Sequence, residues 1–260
     1  MKNKLLEVRN LEKTYHQLNG SIDAVKEINF DVYDKEFIAI VGPSGCGKST
    51  ILSILAGIEE KSGGQVKYNK DNIKLAYMLQ KDSLFPWRTI LDNCLLGLEI
   101  TNNLTKENKE YVLKLLETYG LKDFIYKYPD SLSGGMRQRV ALIRTLAIKP
   151  DILLLDEALS ALDFQSRLAI SDDIYKIIKS EEKTAIMVTH DINEAISMAD
   201  RVIVLTKRPA VIKSIYEIKL TNKSTPINNR KCKEFNEYYD KIWRDLDVHI
   251  WWEKKIFKKN

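Results

Sequence analysis

Cysteine is scarce: Cys46, Cys94 and Cys232 are the only three in 260 residues, and they stand far apart. No pair forms a C-x-x-C and the number is odd, which argues against both a disulfide framework and a zinc site. Long apolar runs are missing as well. No stretch approaches the roughly 20 consecutive apolar residues that a membrane-crossing helix needs. The opening MKNKLLEVRN has neither the apolar core nor the small-residue cleavage site of a secretory signal, so the expected location is the cytoplasm. Internal repeats and low-complexity linkers are absent, and a net charge of +5 is too small by itself to imply a nucleic-acid partner.

What the chain does have is 44% hydrophobic residues, enough for a substantial core in one large domain or a domain with a subdomain. Its charge is uneven. From Thr221 to Asn260 there are ten Lys or Arg against six Asp or Glu, which accounts for most of the net charge. The same tail carries Trp243, Trp251 and Trp252, with Phe235, Tyr239, Ile242 and Leu246 at helical spacing. Such an end could meet anionic lipid or a partner; the reading preferred here is a terminal helix packed on its own domain.

The first chemical motif is GPSGCGKST, Gly42 to Thr50, directly after the continuously apolar FIAIV, Phe37 to Val41. Glycines let a backbone curl until successive N–H groups point inward, and a following helix adds the positive end of its dipole. The helix is marked by Ile51, Leu52, Ile54, Leu55 and Ile58. Strand, glycine loop and helix in this order match G-x-x-x-x-G-K-[ST], whose guest is polyphosphate. Cys46 fills a variable position of the loop, where backbone matters more than side chain.

Short strands are expected near Leu5 to Val8, Ile28 to Tyr33 and Val66 to Tyr68, with turn signals at LNG and KSGGQ. A helical insertion follows from about Ser83 to Ser133. Within it, Thr105 is the N-cap of a helix whose apolar face is Tyr111, Val112, Leu115, Leu116 and Tyr119, and Gly120 stops it. Strands and helices then alternate: Ile152 to Leu155, a helix from about Phe164 to Ser180, Thr184 to Val188, a helix from Ile192 to Met198, and Val202 to Leu205. Alternation of this kind predicts an α/β fold with a largely parallel sheet covered by helices on both faces.

The second motif is DILLLDEALS, in which a buried strand ends in Asp156 and Glu157. Carboxylates at the carboxyl end of such a strand sit where open α/β sheets bind ligands. Asp156 is placed to hold Mg²⁺ through its water shell, Ser49 reaches the same ion from the glycine loop, and Glu157 is the candidate for polarising an attacking water. The third motif is LSGGMRQRVALIRTLAIKP. Ser133, Gly134 and Gly135 precede a helix carrying Met136, Val140, Ile143 and Ala147, with Pro150 closing it, so a second small-residue loop meets a helix N-terminus. It suggests that this loop serves a nucleotide held by another copy of the chain.

GPSGCGKST, LSGGMRQRVAL, ILLLDEALSALD and MVTHDINEA, in this order over roughly residues 5 to 210, resemble the nucleotide-binding subunit of an ATP-binding cassette (ABC) transporter. The resemblance implies a P-loop NTPase of ABC type: a mostly parallel sheet core, an early antiparallel β part and an inserted α-helical subdomain. The corresponding division is an ATPase domain over 1–220, its helical subdomain at about 83–135, and a basic aromatic helical extension over 221–260. Lys48 would grip the β- and γ-phosphates of ATP, while Gly42, Pro43, Ser44, Gly45, Cys46, Gly47, Ser49 and Thr50 line the loop. Gln80, in YMLQKDSLF, matches the glutamine that senses Mg²⁺ and water. Asp163, in SALD, matches the aspartate that runs across a dimer interface, and His190, in VTHD, the histidine on the γ-phosphate. Tyr15, in LEKTY, falls where the family sets an aromatic ring against adenine. Ser133 to Gly135 should close over ATP bound to the opposite subunit.

One departure stands out: the proline usual after the catalytic glutamate is Ala158 here, which gives up local stiffness without removing a catalytic atom. Implied partners are a second copy of the chain and separate transmembrane permease subunits at the cytoplasmic face of the membrane, docked beside Gln80 near Leu84, Phe85 and Trp87. LFPWRTILDNCLLGLEI and HDINEAISMADRVIVLTKRPA are similar to importers of the nitrate, sulfonate and taurine type, served by an extracytoplasmic binding protein; a vitamin or pyrimidine precursor is an equal cargo. The competing function is a soluble ABC-type ATPase that remodels a ribosome or nucleic-acid complex. Its relatives carry two cassettes or long coiled-coil insertions, and this chain has neither.

Overall fold

The structure, a computed structural model, describes residues 3–246 apart from Asn19 and Ala161. Two long strands open it, β1 (Lys4–Gln17) and β2 (Gly20–Tyr33), followed by β3 (Phe37–Val41), α1 (Lys48–Leu55), β4 (Gly63–Tyr68) and β5 (Leu75–Met78). Helices α2 (Ile90–Ile100), α3 (Lys106–Thr118) and α4 (Gly134–Ala147) come next. The chain then alternates: β6 (Ile152–Asp156), α5 (Phe164–Ser180), β7 (Thr184–Thr189), α6 (Ile192–Met198), β8 (Arg201–Leu205) and β9 (Ile212–Glu217), ending in the short α7 (Pro226–Asn229) and α8 (Phe235–Asp245).

Six strands form one sheet in the order β5-β6-β7-β3-β8-β9, parallel except for β9, which returns antiparallel to β8. A second sheet, β2-β1-β4, is antiparallel. The strands at the centre of the large sheet are buried on both faces, so their sequences read as apolar runs without alternation. Alternation reappears in what each side chain touches. Phe37, Ala39, Val41, Leu153 and Leu155 enter a core shared with helices α2 to α6. Ile38, Ile40, Ile152 and Leu154 enter a second core filled by α1 and the antiparallel sheet. The large sheet is a wall between two apolar interiors, and both must pack for its strand ends to be placed.

Elements end where the backbone allows. α1 stops at Leu55 because Gly57 turns left-handed (φ 70°), with Gly57 N–H donating to Ile54 and Ile58 N–H to Ser53. Ile58, expected on the buried face of that helix, is therefore past its end and 68% exposed. Gly120 (φ 75°) ends α3 by the same bonds, to Glu117 and from Leu121 to Leu116. Thr105 caps α3, accepting from Asn108 N–H.

β1 and β2 run much farther than the fragments expected at Leu5 to Val8 and Ile28 to Tyr33. Register shifts between Val8, Leu11, Lys13 and Thr14, with left-handed Asn10 and Glu27, break the period of two that sequence patterning relies on. At the other end, α8 packs Phe235 and Ile242 into the helical core, and Asp245 accepts from Tyr216 of β9 at 2.7 Å. The described part of the tail thus packs on its own domain; Trp251 and Trp252 lie outside the described residues.

Candidate active site

The glycine loop leaves β3 at Val41 and enters α1 at Lys48. Two of its three glycines are required by close approach. A Cβ on Gly47 (φ 127°) would sit 2.9 Å from the Ala24 carbonyl oxygen, and one on Gly42 would meet Cys46 Sγ at 2.9 Å and Leu205 Cβ at 3.1 Å. Lys48 is buried, and its ammonium donates to the carbonyls of Gly42 (2.9 Å) and Pro43 (3.1 Å), so the loop curls around its own cation. Cys46 faces the core, where burial pushes its thiol up against the opposing pull of Lys48, so it is a neutral packing group rather than a nucleophile.

Asp156, the last residue of β6, lies across from the loop. Ser49 Oγ donates to its Oδ1 at 2.9 Å, and Tyr77 on β5 donates its hydroxyl to Oδ2 at 2.7 Å. Burial, then the Asp156 carboxylate, pushes the Tyr77 phenol upward, keeping it a donor. Ser49 and Asp156 thereby present hard oxygen donors at one point. Among the described residues there is no cluster of three or more His, Cys, Asp or Glu suited to a metal. That sparse donor set fits Mg²⁺, which is usually held by one or two protein oxygens with water and phosphate completing the shell.

Glu157 follows in a left-handed conformation (φ 45°), rare for a residue with a side chain and worth roughly 1–3 kcal/mol of strain. Its N–H bonds Val188 O at 3.0 Å and its carbonyl accepts from Ser160 N–H at 2.9 Å, which hold the turn. The turn brings its carboxylate to 3.2 Å from His190 Nδ1, just past the end of β7. A carboxylate only accepts, so Nδ1 carries the proton in this pair.

A cavity of about 160 Å³ joins these parts: Gly45 and Gly47 to Thr50 on one wall, Glu157 on another, and Arg208 at the rim. Arg208 lies in the β8–β9 connection and donates Nη2 to the Gly45 carbonyl at 2.5 Å.

Other expected site residues lie farther out. Tyr15 touches the loop through its hydroxyl, 3.3 Å from Thr50 Oγ1 and 2.8 Å from Glu59 Oε2, with Lys13 Nζ 4.9 Å from its ring centre. Gln80 donates to Ser160 Oγ at 3.0 Å, which ties it to the turn after Glu157 rather than directly to Ser49 or Asp156. Ser133 caps α4 by accepting from Met136 N–H, and Asp163 caps α5 by accepting from Ser166 N–H at 3.0 Å. Gly134 and Gly135, expected as a loop ahead of the helix, are instead the first residues of α4; Gly134 packs near Leu162, and a Cβ on Gly135 would lie 2.7 Å from Ile170, so this helix start abuts the Asp163 turn. Arg137 and Arg144 on α4 grip the loop after Gln80: Arg137 Nε is 3.0 Å from Asp82 Oδ2, and Arg144 Nη1 donates to Ser83 O at 2.8 Å.

Two contacts were missed from sequence. Tyr77 is one, since only strand pairing beside β6 reveals that its hydroxyl reaches Asp156. Arg208 is the other; a single arginine in a hairpin has no spacing signal.

The sequence profile of the ABC transporter family matches residues 25–160, which takes in the glycine loop, Ser133 to Gly135, Asp156 and Glu157. This chain belongs to the ABC transporter family. As a member of it, the chain is an ATP-binding ATPase with the P-loop α/β fold. It is 44% identical to the uncharacterized ABC transporter ATP-binding protein YtlC of Bacillus subtilis, over 93% of this chain and 95% of that one. It is 34% identical to the nitrate transport protein NasD of Klebsiella oxytoca, over 96% and 97% respectively. Among solved structures, the ATP-binding cassette MJ0796 in a dimeric post-hydrolysis state with ADP and Pi superposes with a TM-score of 0.70 at 30% identity, covering 83% of this chain and 99% of that one. No helix among the described residues of this ABC protein is long and apolar enough to cross a membrane.

Proposed function

We propose that this ABC ATPase powers import of a small solute through separate permease subunits at the cytoplasmic face of the membrane. Two copies would close head to tail around two ATP molecules. The observation that carries the reading is the convergence of the Ser49–Asp156 and Glu157–His190 pairs on the mouth of the glycine loop.

The chemistry assigned to these residues is phosphoryl transfer to water, driven by position and charge. Lys48 and the loop from Gly42 to Thr50 bind the phosphate chain; the buried ammonium, now resting on two carbonyls, gains an anion as partner. Ser49 and Asp156, with Gln80 nearby, would hold Mg²⁺, which when bound neutralises charge on the β- and γ-phosphates. Glu157 orients the attacking water and accepts its proton, its rotamer steadied by His190. The half-exposed His190 ring keeps an open edge for the γ-phosphate. Tyr15 supports the adenine end. Ser133, Gly134 and Gly135 reach the nucleotide of the second copy, with Asp163 along the shared interface.

Residues of about 83–135 serve as the helical subdomain and 221–260 as the extension to a 1–220 ATPase domain. Motion is delivered beside Gln80, where Phe85 and Trp87 pair at 5.1 Å between ring centres and Trp87 is 71% exposed. The arginine clamps from α4 onto Asp82 and Ser83 make that surface move with Ser133, Gly134 and Gly135 at the start of the same helix. Nitrate, sulfonate or taurine is the cargo class favoured by the similarity to NasD and by the LFPWRTILDNCLLGLEI segment.

The test joins two measurements. Complexes purified from detergent-solubilised membranes should contain a permease, and their ATPase rate in proteoliposomes should rise when binding protein is supplied with nitrate or taurine. Recovery of only ribosomal or soluble partners would overturn the importer reading in favour of a remodelling ATPase.

A further inference from the structure

Arg208 falls in the HDINEAISMADRVIVLTKRPA segment, where no role was assigned to it, yet it lines the same cavity as Lys48 and Glu157. Its position is built. Thr206 N–H donates to Val211 O at 3.0 Å and Val211 N–H donates back to Thr206 Oγ1 at 3.1 Å, closing the β8–β9 connection on itself. Ala210 is then pinned to β2 from both sides, its N–H to Ala24 O at 3.0 Å and its carbonyl from Lys26 N–H at 2.9 Å. Ala24 is also the residue whose carbonyl limits Gly47 to glycine. The hairpin and the phosphate loop therefore lean on one short stretch of β2, and Leu205 at the end of β8 touches Gly42 from the other side.

The guanidinium is placed by this frame and has unused capacity. Arginine has five N–H donors. Among the described residues one protein acceptor, the Gly45 carbonyl, is bonded to Arg208, and no carboxylate pairs with it. A fork anchored by one arm on the loop's own carbonyl, with its remaining donors at the rim of a cavity that already holds a lysine, suits an anionic oxygen better than any group of the protein nearby.

We propose that Arg208 is a phosphate-binding residue of this ATPase, contacting the nucleotide's chain beyond the α-phosphate from the Gly45 wall of the cavity. The inference rests on the assignment of the Gly42 to Thr50 loop as the phosphate cradle. It adds a cation from outside the loop, so affinity for the triphosphate depends on the β8–β9 hairpin staying docked on β2.

Equilibrium binding of a non-hydrolysable ATP analogue and of AMP to the full chain tests this without turnover. R208A is expected to weaken the triphosphate analogue about ten-fold and to leave AMP within about two-fold of the parent, while R208K restores most of the loss. Unchanged triphosphate affinity in R208A overturns the proposal. Equal weakening of AMP and the triphosphate also overturns it, since Arg208 would then only shape the loop; so does R208K binding as poorly as R208A, because the Gly45 anchor rather than the charge would be responsible. K48A separates the two readings. If K48A loses the triphosphate and R208A does not, only the Arg208 inference fails; if K48A binds normally, the cradle itself is misassigned.

Discussion

Ser49 donates its hydroxyl to Asp156 Oδ1 at 2.9 Å, joining the start of α1 to the end of β6 across 107 positions of the chain. Tyr77 holds the other carboxylate oxygen at 2.7 Å. Such outer partners orient a ligand and typically change metal affinity ~10–100-fold when lost. Tyr77→Phe should therefore raise the Mg²⁺ concentration for half-maximal ATPase activity roughly ten-fold. Rate at saturating Mg²⁺ should stay near the parent value. A titration in which the Mg²⁺ midpoint does not move would remove Tyr77 from the positioning of Asp156.

Glu157→Gln keeps the shape of the turn and of the His190 contact but removes a proton acceptor. Phosphate release should fall by about 10²–10⁴-fold, the usual contribution of a positioned base. ATP binding should persist, and the ATP-loaded variant should elute from size exclusion at twice the monomer mass. A variant that remained monomeric with saturating Mg·ATP would contradict the head-to-tail pairing.

Two glycine replacements should part company. Gly47→Ala meets the Ala24 carbonyl at 2.9 Å with φ at 127°, and neither side can yield without moving β2 or the loop. Expected are a loss of about 2 kcal/mol or more in stability and at least a roughly ten-fold weaker grip on ATP. Gly57→Ala has an open surrounding and only the strain of φ 70°. About 1 kcal/mol is expected there, with ATP affinity unchanged. Denaturant melts and nucleotide titrations on both variants would show whether the contrast holds.

Asp200 ties three parts of the fold together. It accepts from Phe37 N–H at the start of β3 (2.9 Å), pairs with Lys179 of α5 (3.1 Å) and pairs with Lys223 of the C-terminal segment (2.7 Å). Burial alone would raise its pKa, but Lys223, the Phe37 N–H and Lys179 together hold that pKa below the ordinary aspartate value. A depressed value in the folded state stabilises above the unfolded pKa of ~3.9 and is lost as pH falls through the folded one. Asp200→Asn should cost about 1–2 kcal/mol at neutral pH, after allowance for partial exposure. The difference from the parent should shrink below about pH 4. Urea melts at pH 7 and pH 3 measure both halves; an equal gap at the two pH values would contradict the assignment.

The sequence was most informative where one physical requirement acted alone. Phe37 to Val41 had to be apolar throughout because the strand is buried on both faces, and the loop after it had to be glycine because Ala24 and Leu205 approach so closely. α5 and α6 fall on the spans their periodicity predicted. Reading failed where two requirements overlapped. The bulges of β1 and β2 hide a 14-residue pairing behind irregular spacing. β5 spans four residues and β9 is a half-buried edge, so neither stood out. In the site, side chains recruited from separate elements, such as Tyr77, Ser160 and Arg208, acquire their neighbours only through the register of the sheet.

Because adjacent residues of β6 belong to opposite interiors, that strand tolerates substitution far better than any change of length. Deleting one residue between Ile152 and Leu155 would turn each following side chain toward the wrong interior and draw Asp156 back by about 3.3 Å. Both interiors would be mismatched at once, and the carboxylate would leave Ser49 behind. The spacing of this strand is thus protected twice over, by packing and by chemistry, so viable insertions and deletions must fall in the connections.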